Sequence, residues 1–166
     1  MLTETLIEDP RWQTTGLGDV AETAARATLQ HLGLGWKGYE IAILACDDAR
    51  IADLNAEFRD NPTPTNVLSW PSLDLAPDDA GAAPQRPPDP DPLLGEFLGD
   101  IAIAYETCDR EAQAAGKHFA DHVTHLMVHG VLHLLGYDHA RDGDATLMER
   151  IEAEILGKLG IADPYS

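Results

Sequence analysis

His129-Gly130-Val131-Leu132-His133-Leu134-Leu135-Gly136-Tyr137-Asp138-His139 is the stretch from which the rest of the chain can be read. Its three histidines fall at i, i+4 and i+10. On a helix, positions i and i+4 lie one turn apart on the same face, so His129 and His133 can aim their rings at one ion. Gly136 can adopt a positive φ, which ends the helix and turns the chain back. His139 then arrives from a loop as a third ligand. A lone histidine on an apolar face is usually a core or surface residue, and a pair at this spacing is often coincidence. The third, placed just after a glycine turn, gives the pattern its specificity. Three neutral imidazoles suit a catalytic zinc site that leaves a fourth position for water or substrate. The expected cofactor is one Zn²⁺ per chain. Another divalent transition metal is compatible with three histidines, because affinity order alone does not select zinc.

The same spacing separates two chemistries. The metzincin protease signature reads H-E-x-x-H-x-x-G-x-x-H, and its Glu is the general base. Gly130 stands at that position here. The ligands of a zincin are present without its base, which argues against peptide hydrolysis and for a different metal-assisted reaction.

Outward from this stretch the elements alternate. Leu2–Glu8 reads as a strand from its partial alternation, and Asp9-Pro10 as a turn or loop. Gly18–Leu34 reads as an amphipathic helix closed by Gly33 and Gly35. Glu40–Cys46 is a short apolar run and reads as a buried strand. Asp47 caps a helix that runs to about Phe58. Thr65–Trp70 is a third strand. Phe97–Tyr105 is a fourth, with Ile101, Ile103 and Tyr105 on one face. Glu106–Gly116 is a helix, and another starts at Lys117 or His118 and runs to about Leu135. The last begins at Asp142 or Asp144, with Leu147, Ile151, Ile155 and Leu159 at helical spacing. The expected fold is α+β: a mixed sheet of about four strands packed with about five helices, the metal-binding helix central. At 166 residues, one catalytic domain over 1–166 is expected. Leu73–Pro92 is rich in Pro, Asp and Ala and lacks periodicity. It reads as a flexible surface insertion between two strands, with a lid as the alternative.

Composition bounds the setting. Cys46 and Cys108 are too few for a disulfide framework, which points to a reducing compartment. Met1–Pro10 is acidic without an apolar segment, so it is not a signal peptide. No apolar run reaches the roughly 20 residues of a membrane span. A cytoplasmic protein with no membrane partner is expected. The net charge of −18, with 11 Lys and Arg against 29 Asp and Glu, is awkward for nucleic-acid binding. Such binding is driven largely by counterion release onto basic side chains. Either the acidity serves solubility while a metal and a few arginines make one cleft locally positive, or a partner supplies the affinity. A weak intrinsic grip on any free nucleic acid is the expectation.

His118, His122, His125 and His129 form one helical stripe, with His133 close to it. A second metal site or a proton relay is the sharper reading. A polar stripe with some rings supporting the ligands is the plainer one, and His125, one turn before His129, is the best such support. Asp138 either orients a metal-bound imidazole or serves the turn after Gly136. Arg59 ends a predicted helix ahead of a Pro-rich turn. Taken alone it reads as a surface residue or a cap on the last carbonyls.

Five segments stand in a characteristic order: Leu54-Asn55 with Phe58-Arg59; Pro64-Thr65-Asn66-Val67-Leu68-Ser69-Trp70-Pro71; Leu98-Gly99-Asp100-Ile101; the histidine stretch; and Met148-Glu149 with Glu152 and Ile155-Leu156. Together they resemble the YbeY family of bacterial endoribonucleases that mature ribosomal RNA. The chain departs from the family at Trp70, usually Phe, and at Pro62, often Asp. The resemblance implies a zinc-dependent endoribonuclease acting on single-stranded RNA in ribosomal RNA processing, at the 3′ end of the small-subunit RNA, and in ribosome quality control. It implies the small ribosomal subunit and its assembly factors as partners. It also matches the family's catalytic arginine to Arg59, whose planar, permanently charged guanidinium suits a phosphate whose charge grows in the transition state. Whether water or the RNA 2′-OH attacks stays open. Thr65, Asn66 and Ser69 either line the site or serve the turn and strand edge. Two rivals remain: a metalloprotease-like hydrolase, opposed by Gly130, and a non-enzymatic ribosome assembly factor with structural zinc, opposed by a set of only three ligands.

Overall fold

Four strands form one mixed sheet: β1 (Thr3–Ile7), β2 (Tyr39–Cys46), β3 (Val67–Pro71) and β4 (Glu96–Ala104), in the spatial order β1-β2-β4-β3. The computed structural model describes all residues, Met1–Ser166. β1, β2 and β4 are parallel, and β3 runs antiparallel to β4 along the edge. Parallel neighbours need crossovers, and helices supply them. α1 (Leu17–His31) links β1 to β2, and α2 (Asp48–Arg59) follows β2. After β4 come α3 (Tyr105–Ala115), α4 (Phe119–Leu134) and α5 (Asp142–Lys158). The α+β expectation, with four strands and five helices, therefore holds.

The pleat sorts the core to two faces. Ile101 and Ile103 of β4 join Ile41 and Ile43 of β2 in the large core under α1 and α4. Their neighbours Ala102 and Ala104 point the other way, onto Ile51 of α2 and Leu68 of β3. α4 is buried nearly all round: Val123, Met127, Val128, Val131, Leu132 and Leu134 are at most 2% exposed. Each such side chain contributes about 1.5–3 kcal/mol on burial. A helix apolar on most of its circumference is placed at the centre of a fold, and its one polar stripe is the histidines.

Two local readings differ from the structure. Pro10–Thr14 is a 3₁₀ turn, where only a loop signal is visible in the sequence. It drops Trp12 into the core, where the indole N–H donates to the carbonyl of Cys46 at 2.9 Å. Tyr105 begins α3 and does not extend β4. Its ring meets Trp12 edge-on at 5.4 Å, a contact between distant segments that strand alternation cannot reveal. Leu6 lies 66% exposed, because α2 covers only part of the outer sheet face and β1 lies at its edge.

Residues 73–92 connect the antiparallel strands β3 and β4 without a helix or strand of their own. Several contacts seat them. Arg141 donates to the carbonyls of Pro77 and Asp78, Asp144 accepts from the amide of Gly81, and Leu75 is buried. At Gly136, φ is +98°, and an added Cβ would lie 2.8 Å from the Leu75 backbone. Gly136→Ala is therefore expected to lower the unfolding free energy of the metal-free protein by about 2 kcal/mol or more, from backbone strain plus the clash. Urea denaturation measures this; an unchanged midpoint would mean that the turn and Leu75 yield without cost.

Candidate metal centre

The C-terminal end of α4 builds the site. Gly136 N–H donates to the His133 carbonyl and Tyr137 N–H to that of Leu132, closing the helix with a tight reversal. The reversal sets the Tyr137 carbonyl 2.9 Å from Nδ1 of His133. A carbonyl only accepts, so Nδ1 carries the proton and Nε2 of His133 is bare. Nδ1 of His129 lies 2.5 Å from Oε1 of Glu152, which leaves its Nε2 bare too. The two bare nitrogens face each other at 2.9 Å. Two lone pairs so placed repel unless a cation stands between them. His139 completes the group: its ring lies 5.3 Å from that of His129 and 5.1 Å from that of His133. One ligand atom from each of the three lies within 4.8 Å of the others. The donor set, three imidazoles with at least two fixed as Nε2 ligands, fits a zinc ion. Burial, reinforced by the nearby His129 and His139, pushes His133 down to about 4, so it is neutral and ready to ligate at neutral pH.

A cleft of about 670 Å³ opens over this end of α4, lined by the three histidines together with Arg59, Asn66 and Ser69. Arg59 lies at the last turn of α2, exposed, and reaches across the β3 edge. Its Nη2 donates to the Ser69 carbonyl at 2.6 Å, not to the carbonyls of its own helix. One donor anchors the side chain, and the other guanidinium N–H groups stay available to the cleft. The residues expected to act together, Arg59 with His129, His133 and His139, thus line one cavity. Thr65, Asn66 and Ser69 line it too.

Gly130 is packed against the sheet. A Cβ there would stand 3.1 Å from Cδ1 of Ile101 and 3.3 Å from Oγ of Ser69. Where a zincin carries its base, this helix presses on β3 and β4, and even a Cβ would push on Ile101 and Ser69. The cysteines stand apart. Cys46 and Cys108 are buried and unpaired, and neither joins the triad. Burial pushes the Cys46 thiol up to about 12.

Two of the remaining stripe histidines, His122 and His125, pair with carboxylates. Nε2 of His122 meets Glu111 at 2.9 Å, and Nε2 of His125 meets Oε2 of Glu152 at 3.0 Å. His118 is exposed at the start of α4. Asp138 serves the turn, accepting from the amide of His139, while its carboxylate stands 4.0 Å from Nδ1 of His133. The Tyr137 carbonyl, and not Asp138, orients that ring. The sequence reading assigned no role to Glu152, which is fully buried. A signal was present: an acid four residues after Met148, between Ile151 and Ile155, lies on the buried face of α5. Burial alone would raise its pKa. Hydrogen bonds from His125, His129 and Tyr165 outweigh this and hold the carboxyl down at about 2. Tyr165, which also donates to Glu152, carried no sequence signal.

Comparison with known proteins adds the relatives. A family model described as "Endoribonuclease YbeY" matches residues 6–160. A protein of Ruegeria pomeroyi named endoribonuclease YbeY is 60% identical over 166 residues, covering 100% of this chain and 99% of its own length. Proteins of the same name from Dinoroseobacter shibae and Bartonella quintana are 56% and 45% identical, over 98% and 96% of this chain and 89% and 94% of theirs. The solution structure of a Thermotoga maritima protein superposes with a TM-score of 0.54 at 18% identity, covering 99% of each chain, and supports the fold.

Proposed function

The chain belongs to the endoribonuclease YbeY family and is an endoribonuclease, and from that premise we propose that it cleaves single-stranded RNA in ribosomal RNA processing, using one zinc ion held by His129, His133 and His139 and Arg59 as catalytic residue. The observation that carries this reading is the cleft that three convergent imidazoles share with one anchored guanidinium. When bound there, the ion supplies Lewis acidity toward a phosphoryl oxygen and toward water. The chain's own groups do the rest. His133, fixed by the Tyr137 carbonyl, and His129, fixed by Glu152, present Nε2 without reorganisation. Arg59, tied to the Ser69 carbonyl, offers its free N–H groups to the scissile phosphate and stabilises the charge that grows on it.

Residues 1–166 work in this reading as one catalytic unit, with 73–92 as an insertion whose first residues line the cleft rim. Two rivals lose ground. A protease would need a base at position 130, where Ile101 and Ser69 already stand. A structural zinc would need a fourth protein ligand, and both cysteines lie elsewhere. The charge of −18 fits an enzyme that borrows affinity from the small ribosomal subunit and its assembly factors in the cytoplasm. No helix is long and apolar enough to cross a membrane.

Stripping the metal with a chelator is expected to abolish cleavage of a single-stranded small-subunit rRNA fragment, and stoichiometric Zn²⁺ to restore it. A duplex of the same sequence and a peptide library should stay intact throughout. Cleavage that persists in the metal-free protein would overturn the metal assignment, and peptide hydrolysis would revive the protease.

A further inference from the structure

We propose that Glu152 is the positioning residue that holds His129 as a metal ligand, and that His125 and Tyr165 hold Glu152 in turn; this rests on the reading of His129, His133 and His139 as the metal site. A carboxylate buried to 0% exposure in a chain of net charge −18 has no electrostatic reason to be there unless donors surround it. Three do. Oε1 accepts from Nδ1 of His129 at 2.5 Å. Oε2 accepts from Nε2 of His125 at 3.0 Å and from the Tyr165 hydroxyl. The acid comes from α5, both histidines from α4, and the tyrosine from the segment after α5 that folds back over them. That segment is itself fixed by a turn in which Asp163 accepts from the Tyr165 amide at 2.8 Å. The Tyr165 ring then stands edge-on to His125 at 5.8 Å.

The division of labour follows from the two oxygens. One faces the ligand and fixes both the tautomer and the tilt of its ring. The other takes two donors, so the carboxylate cannot rotate away from His129. His125 is thus no second metal ligand. Its Nε2 is spent on Glu152, and its Nδ1 is buried without a partner. Tyr165, only 44% exposed at the surface end of the chain of contacts, is the outermost link.

The test uses the full chain as wild type, His133→Ala, Glu152→Gln and Tyr165→Phe. Zinc affinity is measured by competition with a chromophoric chelator, and the unfolding midpoint is measured without metal. Glu152→Gln keeps the volume but offers one acceptor where three donors need two, and should weaken zinc binding about 10–100-fold, the range for such outer partners. Tyr165→Phe removes one hydroxyl and should weaken it by about threefold, with the metal-free unfolding midpoint unchanged. Ring ¹⁵N shifts of His129 in the metal-free protein should report the Nδ1–H tautomer in wild type and a mixture in Glu152→Gln, a change that mere packing would not produce. If Glu152→Gln fails to fold, Tyr165→Phe decides alone. Zinc binding that depends on His133 but is equal in wild type, Glu152→Gln and Tyr165→Phe overturns the proposal and leaves the triad standing. Zinc bound equally well by His133→Ala overturns the triad and the proposal with it.

Discussion

His133→Ala is expected to give a folded protein that retains no stoichiometric zinc and cuts no RNA. Among the three proposed ligands, His133 is the one whose geometry depends most on the local chain: its Nδ1 is tied to the Tyr137 carbonyl, and its Nε2 faces that of His129. Removing it leaves two nitrogens, one of them on an exposed loop residue, and two ligands do not make a catalytic zinc site. The side chain lies on the polar stripe of α4 and not among its buried apolar positions, so the helix should survive. Metal content by elemental analysis, circular dichroism and RNA cleavage measured on the same preparation separate the outcomes. Retained stoichiometric zinc would mean that the ligands are misassigned.

Arg59→Glu should do the opposite to the metal and the same to the reaction. Zinc content and the unfolding midpoint stay near those of wild type, while kcat/KM for single-stranded RNA falls about 10²–10³-fold, the loss typical of one transition-state donor. Stability is spared because Arg59 is exposed and its one hydrogen bond runs to a strand carbonyl at the sheet edge. Activity is not spared, because the new carboxylate would face the phosphate from the same cleft. Cleavage at the wild-type rate would remove Arg59 from the mechanism. A variant that lost zinc as well would place the arginine among the supports of the metal site.

The histidine stretch was readable because everything it needs is local. One helical turn, one glycine and one short loop bring His129, His133 and His139 together. The strands and helices were readable for the same reason, from periodicity and caps such as Asp47, whose side chain accepts from the amide of Arg50. The place of Arg59 in the cleft was suggested only by resemblance, because its partner Ser69 lies across a turn on another element. Glu152 lies 23 residues beyond His129 on a separate helix, and nothing short of the packing of α5 on α4 says which acid meets which ring. Tyr105 was misplaced, and Trp12 was left without a place, for a related reason. Their edge-on contact joins a 3₁₀ turn near the start of the chain to the beginning of α3, and it overrides the alternation that would have kept Tyr105 in a strand.

The tight seat of α4 on the sheet at Gly130 also bears on how this scaffold could diversify. A lineage drifting toward peptide hydrolysis would have to place an acid at that position while Ile101 and Ser69 still occupied the space. Any first step larger than alanine costs packing before it brings catalysis, and the neighbours cannot shrink beforehand without loosening the strands that carry the cleft. The three-histidine spacing is shared with zincin proteases, but a path toward their chemistry from this chain would first have to make space between Gly130 and its neighbours Ile101 and Ser69. A selection experiment that asked this chain for proteolysis should therefore recover paired changes at 101 or 69 together with 130, and not changes at 130 alone.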